Sequence, residues 1–132
     1  MTRFVITPDV ALAIARGEVA VAGEHQLVAP ALIRSQVLSL LYEAVRRGEV
    51  ATADAERQLD VVRGLRMRLL GDRVLQRVAW RLADQLGWPD TFDAEYVALT
   101  QLQADALVTL DPEMADAVKG LVTVAPVTAL SA

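Results

Sequence analysis

With 132 residues and 54% apolar side chains, the chain is long enough to bury a real core as one domain spanning residues 1–132, yet no apolar run approaches the roughly 20 residues of a membrane span. The absence of cysteine excludes disulfides, thiolate metal sites and cysteine nucleophiles, and a single histidine, His25, leaves little for a zinc site or a serine-histidine triad. The net charge of −4 conceals an arginine-rich middle: ten arginines face six acids from Arg34 to Arg81, and three basic residues face eleven acids elsewhere.

The chemistry left over is carboxylate chemistry, whose hard oxygens suit magnesium or manganese. Basic residues in the middle of an otherwise acidic chain suit a phosphate-bearing partner held near such a site. Solvated arginines on an amphipathic hairpin are the simpler account of the charge taken alone. The N-terminus, MTRFVITPDV, lacks a basic region, apolar stretch and small-residue cleavage site, so a cytoplasmic protein is expected.

In chain order, Arg3 to Ile6 is a short β-favouring run. Thr7-Pro8 then reads as N-cap and first helical position of a helix that stops at Gly17. The segment EVAVAGE, 18–24, fits either a strand or a loop. After His25, LVAP, 27–30, ends an apolar run at Pro30. After it, Ile33, Val37, Leu40, Leu41 and Val45 recur at helical spacing up to Gly48, and a second helix with Ala55, Leu59 and Val62 in register runs from Thr52, its expected cap, to Gly64. LRMRLLGD, 65–72, alternates like a strand, with Leu65, Met67 and Leu69 on one side. From Gly71-Asp72 the next helix carries the stripe Val74, Val78, Leu82 and Leu86, and its arginines 73, 77 and 81 form one row. Trp80 and Trp88 read as core and turn-packing residues.

Trp88-Pro89-Asp90-Thr91 is a turn, followed by a helix with Phe92, Tyr96, Leu99 and Leu102 at helical intervals. Ala106 to Leu110 is an apolar strand, Asp111-Pro112 caps another helix, and VTVAPV, 122–127, supplies a last strand broken by Pro126. Strands and helices alternate throughout, which predicts an α/β fold with a central, mainly parallel sheet flanked by helices.

Asp9 and Asp111 each follow a strand beside a proline, and in a parallel sheet such turns gather at one edge. Asp93 opens a third helix and can join them, giving three carboxylates for a magnesium-type site. Each acid also has a local role as a helix cap, worth about 0.5–2 kcal/mol. Elsewhere there is less to work with. His25 reads as structural. Ser35 and Ser39 lack the glycine-flanked elbow of a nucleophile, and no glycine-rich phosphate loop is present.

Three stretches, LVAPALIRSQVLSLL, LRMRLLGDRVLQRVAWRLADQLG and TFDAEYVALTQLQADALVTLD, together resemble the PIN domain family, and within it the VapC-type toxins of bacterial toxin-antitoxin pairs. The last stretch is the most specific: Phe92-Asp93-Ala94, Tyr96, Ala98-Leu99 and Thr109-Leu110-Asp111 match the family's Tyr-Asp-Ala-x-Tyr-x-Ala-Leu and Thr-x-Asp. The resemblance implies a PIN-like single domain and a metal-dependent endoribonuclease. In such an enzyme, acids hold Mg2+ or Mn2+ and the ion lowers the pKa of a water that attacks an RNA phosphodiester. It also implies a homodimer and a cognate antitoxin covering the active-site groove.

Asp93 and Asp111 match the family's acidic positions, but two positions depart from it. Thr7 stands where the first acid is expected, with Asp9 two residues on, and Gln36 stands where a helical glutamate is expected. The expected ligands are therefore Asp93, Asp111 and Asp9, with Gln36 as a neutral oxygen donor and Thr7 and Thr109 supporting them. A site with fewer charges should bind metal more weakly. Arg66, Arg68, Arg73 and Arg77, with Arg81, are the expected RNA-phosphate contacts. The alternative is a PIN-like domain that no longer cuts RNA and acts as a binding or regulatory module.

Overall fold

A computed structural model describes residues 1–132. Four strands, β1 (Arg3–Ile6), β2 (Gln26–Pro30), β3 (Met67–Leu70) and β4 (Ala106–Val108), form a sheet of order β3-β2-β1-β4. Every pairing is parallel, with Val5 opposite Val28 on one side and Leu107 on the other. Six helices flank it: α1 (Pro8–Ala15), α2 (Ile33–Arg46), α3 (Thr52–Gly64), α4 (Arg73–Leu86), α5 (Phe92–Gln103) and α6 (Pro112–Val118). This is the expected α/β arrangement, a central parallel sheet flanked by helices. No helix is long and apolar enough to cross a membrane.

The order of the strands locates the functional edge. From β1 through β2 to β3 the chain moves one way across the sheet, and it then returns past both to place β4 on the other side of β1. Right-handed crossovers put α1 to α3 on one face and α4 and α5 on the opposite face. The contacts agree: α1, α2 and α3 pack on one another, while α4 packs on α5 and α5 on β1, β2 and β4. The direction of winding therefore reverses between β1 and β4. The crevice beyond the carboxyl ends of those two strands is where open α/β sheets usually bind ligands.

Burial follows the layers. One core of 29 residues draws on every helix and strand except β3, the edge strand, whose apolar side chains are only partly covered. Helix α5 is enclosed for most of its circumference, with Ala94, Tyr96, Val97, Ala98, Leu99 and Thr100 all buried. Phe92 and Leu102, read from sequence as part of its stripe, are the ends that emerge. His25 packs edge-on against Phe4 with ring centroids 5.1 Å apart, a packing role as expected, though neither ring nitrogen has a partner within the chain.

Several expectations are corrected. Of the two readings open for EVAVAGE the loop holds, whereas VTVAPV contributes a single bridge, Val124 to Leu107, in place of a last strand. Thr123 O and Ala125 N bond Leu107, and Pro126, lacking an N–H, ends the ladder there. Strand β4 stops at Val108, two residues short of Leu110. Helix α3 has Ala51 as its N-cap, and Thr52 is its first residue. On α2, Ile33, Val37 and Leu41 are buried while Leu40 is exposed.

The largest correction concerns α4. Its core face is Leu75, Ala79, Leu82 and Ala83, whereas Val74 lies half-exposed and Trp80 is 71% exposed. Two alanines carry the packing because α4 lies close along α5, where small side chains let the helices approach. Of the predicted stripe, Leu82 is buried and Val78 and Leu86 pack against the core in part, while Val74 lies outside it. Leu82→Ala should cost about 2–4 kcal/mol in chemical denaturation, while Trp80→Ala should stay within about 0.5 kcal/mol of the parent. Equal losses would contradict this face assignment.

Candidate functional site

The β1 and β4 ladder runs on to Thr7, whose N–H donates to Val108 O at 3.3 Å and whose hydroxyl lies 3.4 Å from the same oxygen. The two chains thus leave the sheet side by side, one carrying Asp9 two residues later and the other Asp111 three residues later. Pro8 and Pro112, each at the first helical position, start α1 and α6 at once, so both acids stay at the sheet edge. Asp93 comes from the first turn of α5 and completes a set drawn from three distant segments.

The capping explanation holds for these acids unequally. Asp111 is a true N-cap: its Oδ1 accepts from Glu113 N–H at 3.0 Å, and its own N–H donates to Thr109 Oγ1 at 3.1 Å. Asp9 Oδ1 accepts from Val10 N–H at 2.8 Å and from the Thr7 hydroxyl, so Thr7 steadies the acid that follows it. Asp93 caps nothing. Thr91 occupies the N-cap of α5, Asp90 accepts from Phe92 N–H at 3.2 Å, and Asp93 takes part in no hydrogen bond or ion pair. Gly87, in the left-handed region at φ 68°, turns the chain from α4 into this segment, a conformation that favours glycine.

The carboxylates feel one another. Asp93 is pushed above the usual aspartate range, first by partial desolvation and then by the negative charges of Asp90, Asp111 and Asp9. Glu95, in the same turn, is raised by desolvation. The charges acting on Asp93 are all negative, with no lysine or arginine among them. As the side chains stand, no three acids or histidines are grouped to hold a metal ion.

The donor chemistry nevertheless suits a hard cation. Both Asp93 oxygens, and the Oδ2 atoms of Asp9 and Asp111, accept no hydrogen bond from the chain.

Gln36, on the first turn of α2, reaches this edge by way of Tyr96. The fully buried tyrosine donates its hydroxyl to Gln36 Oε1 at 2.6 Å. Burial pushes the Tyr96 hydroxyl far up, with Asp93, Glu95 and Asp9 adding to the shift, so it stays protonated and remains a donor. The glutamine oxygen expected to ligate a metal is therefore already engaged, with one lone pair left. Sequence reading missed this pair because nothing local connects residues 60 positions apart. Asp90 and Glu95 were also missed, since each resembles an ordinary acid at a helix start.

The arginines are more dispersed than the acids. Arg68, Arg73, Arg77 and Arg81 are exposed and form no ion pair, while Arg66, exposed ahead of β3, lies at the amino edge of the sheet, opposite the acids. Helix α4 runs back along α5, which places Arg81 toward the Asp90 turn and Arg73 toward the far end.

No family model matches the chain, and no curated protein matches it. Among solved structures, PAE2754 from Pyrobaculum aerophilum matches with a TM-score of 0.73 over 98% of this chain and 93% of that one, at 23% identity. At that identity the likeness carries the fold and leaves activity open.

Proposed function

We propose that this chain is a PIN-like, VapC-type endoribonuclease that works with Mg2+ or Mn2+. What supports the reading is that Asp9 and Asp111 follow the adjacent strands β1 and β4 and lie near enough to Asp93 for their negative charges to add to the desolvation and the Asp90 charge that raise it. Asp93 would be the principal ligand, since no local bond occupies it, with Asp111 and Asp9 offering their free oxygens. The ion, when bound, supplies charge neutralisation and a more acidic attacking water. Thr7 and Thr109 hold Asp9 and Asp111 in place.

A cognate antitoxin remains the proposed regulator. An apolar cleft of about 230 Å3 between α2, α3 and β3, lined by Leu38, Leu59 and Met67 and rimmed by Arg34 and Arg63, suits an acidic amphipathic segment of such a partner. A homodimer and a cytoplasmic setting belong to the same proposal.

A second reading, a PIN-like module that binds RNA or protein without cutting, is favoured by Thr7 in place of an acid and by Gln36 held to Tyr96. Incubating the purified protein with labelled RNA in EDTA, Mg2+ and Mn2+ separates the two. Metal-dependent cleavage supports the enzyme, and intact RNA in all three supports the module.

A further inference from the structure

Helix α4 turns its apolar stripe inward, yet its outer face carries an indole. At about 100° per residue, Trp80 falls in one arc of about 100° with Arg73, Arg77 and Arg81, opposite the buried Leu75, Ala79 and Leu82. Trp80 is 71% exposed, and none of the three arginines has an ion-pair partner. Asp84 shares the arc, at the C-terminal end only. Trp80 also lines a recess of about 330 Å3 with Trp88, Pro89 and Thr91, whose acidic members are Asp84 and Asp90.

We infer that the outer face of α4 is a binding platform for single-stranded RNA, on which a base stacks against Trp80 while Arg73, Arg77 and Arg81 hold successive phosphates. An exposed aromatic beside unpaired guanidiniums is the chemistry that grips single strands, because every base has a π-face and every linkage a negative charge. The arginine row spans about 12 Å, room for two or three phosphates.

Two other occupants fit less well. A membrane surface needs an apolar face to insert, and that face of α4 is already spent on α5. A second copy meeting this face across a two-fold axis would set arginine row against arginine row. The platform rests on RNA as the partner of the proposed enzyme, but its test reads binding alone.

Fluorescence anisotropy of a 5′-labelled single-stranded RNA 12-mer, in EDTA to prevent cleavage, should show binding that Trp80→Ala weakens about 5- to 100-fold and Trp80→Phe partly restores. Arg77→Ala with Arg81→Ala should lower the slope of log K against log salt by about 1 to 1.5. A blunt duplex of the same sequence should bind less tightly than the single strand.

The platform is overturned by unaltered binding in Trp80→Ala, by equal affinity for the duplex, by absence of RNA binding, or by Trp80→Ala instead releasing a dimer in light scattering or anionic phosphatidylserine vesicles in sedimentation. Unaltered binding by Trp80→Ala beside metal-dependent cleavage by the parent would remove the platform and leave the enzyme, whereas Trp80-dependent binding without cleavage would do the reverse.

Discussion

Asp93→Asn and Asp111→Asn should each lower metal-dependent RNA cleavage by at least about 100-fold. Even partners one step removed from a metal are commonly worth 10- to 100-fold, and these are the proposed ligands themselves. The two variants should differ in stability. Asparagine keeps the cap by accepting the same Glu113 N–H bond, so Asp111→Asn should cost at most about a few tenths of a kcal/mol, whereas Asp111→Ala should cost about 1 kcal/mol. Asp93 has no structural bond to lose, and removing its charge relieves repulsion from Asp90, Asp111 and Asp9. Asp93→Asn should therefore gain roughly a few tenths of a kcal/mol in EDTA, a small effect because a half-exposed charge is screened by water.

The pH dependence has a defined sign. The folded-state pKa of Asp93 lies above its unfolded value, so its favourable contribution is full below the ordinary aspartate range, about 3.9, and is lost as pH rises through the raised value. Melting temperature in EDTA should fall across that window more in the parent than in Asp93→Asn. Equal cleavage by parent and both variants would reject this site.

Gln36→Glu should tighten Mn2+ binding about tenfold, because oxygen-ligand sites are tuned by the number of charges they present. A fourth acid beside Asp9 and Asp93 adds repulsion in the metal-free protein, and Tyr96 would then donate to a carboxylate. In thermal melts the variant should start lower in EDTA and rise further with Mn2+ than the parent, since bound ligand stabilises the folded state by mass action. Tyr96→Phe in the parent separates anchoring from ligation: it should cost about 1 kcal/mol for the lost buried hydrogen bond and leave Asp93 and Asp111 in place. Should the parent already bind Mn2+ tightly and Gln36→Glu change nothing, position 36 lies outside the reach of the ion.

Local pattern was enough to reveal the alternation of strands and helices, and with it a parallel sheet. Proline after Thr7 and after Asp111, apolar runs of strand length and single glycines at helix ends are short-range signals that survive without knowledge of neighbours. The same signals put Asp9 and Asp111 at strand ends and so at one edge. They could not separate a cap from a free acid, because that depends on which N–H groups other residues have already taken. Asp90 satisfies Phe92, and only then is Asp93 seen to be unoccupied.

Faces of helices were legible only where the apolar residues were unambiguous. On α4, valine and tryptophan compete in sequence with alanine for the core, and the close approach of α5 settles the matter for alanine. That choice turned Trp80 outward to stand among the arginines. The sequence by itself determined the alternation of strands and helices, the parallel sheet and the acids just beyond the strand ends, because turn chemistry and hydrophobic period act over a few residues. The Tyr96–Gln36 bond, the uncapped Asp93 and the exposed Trp80 were decided only by tertiary packing, because each depends on partners distant in the chain.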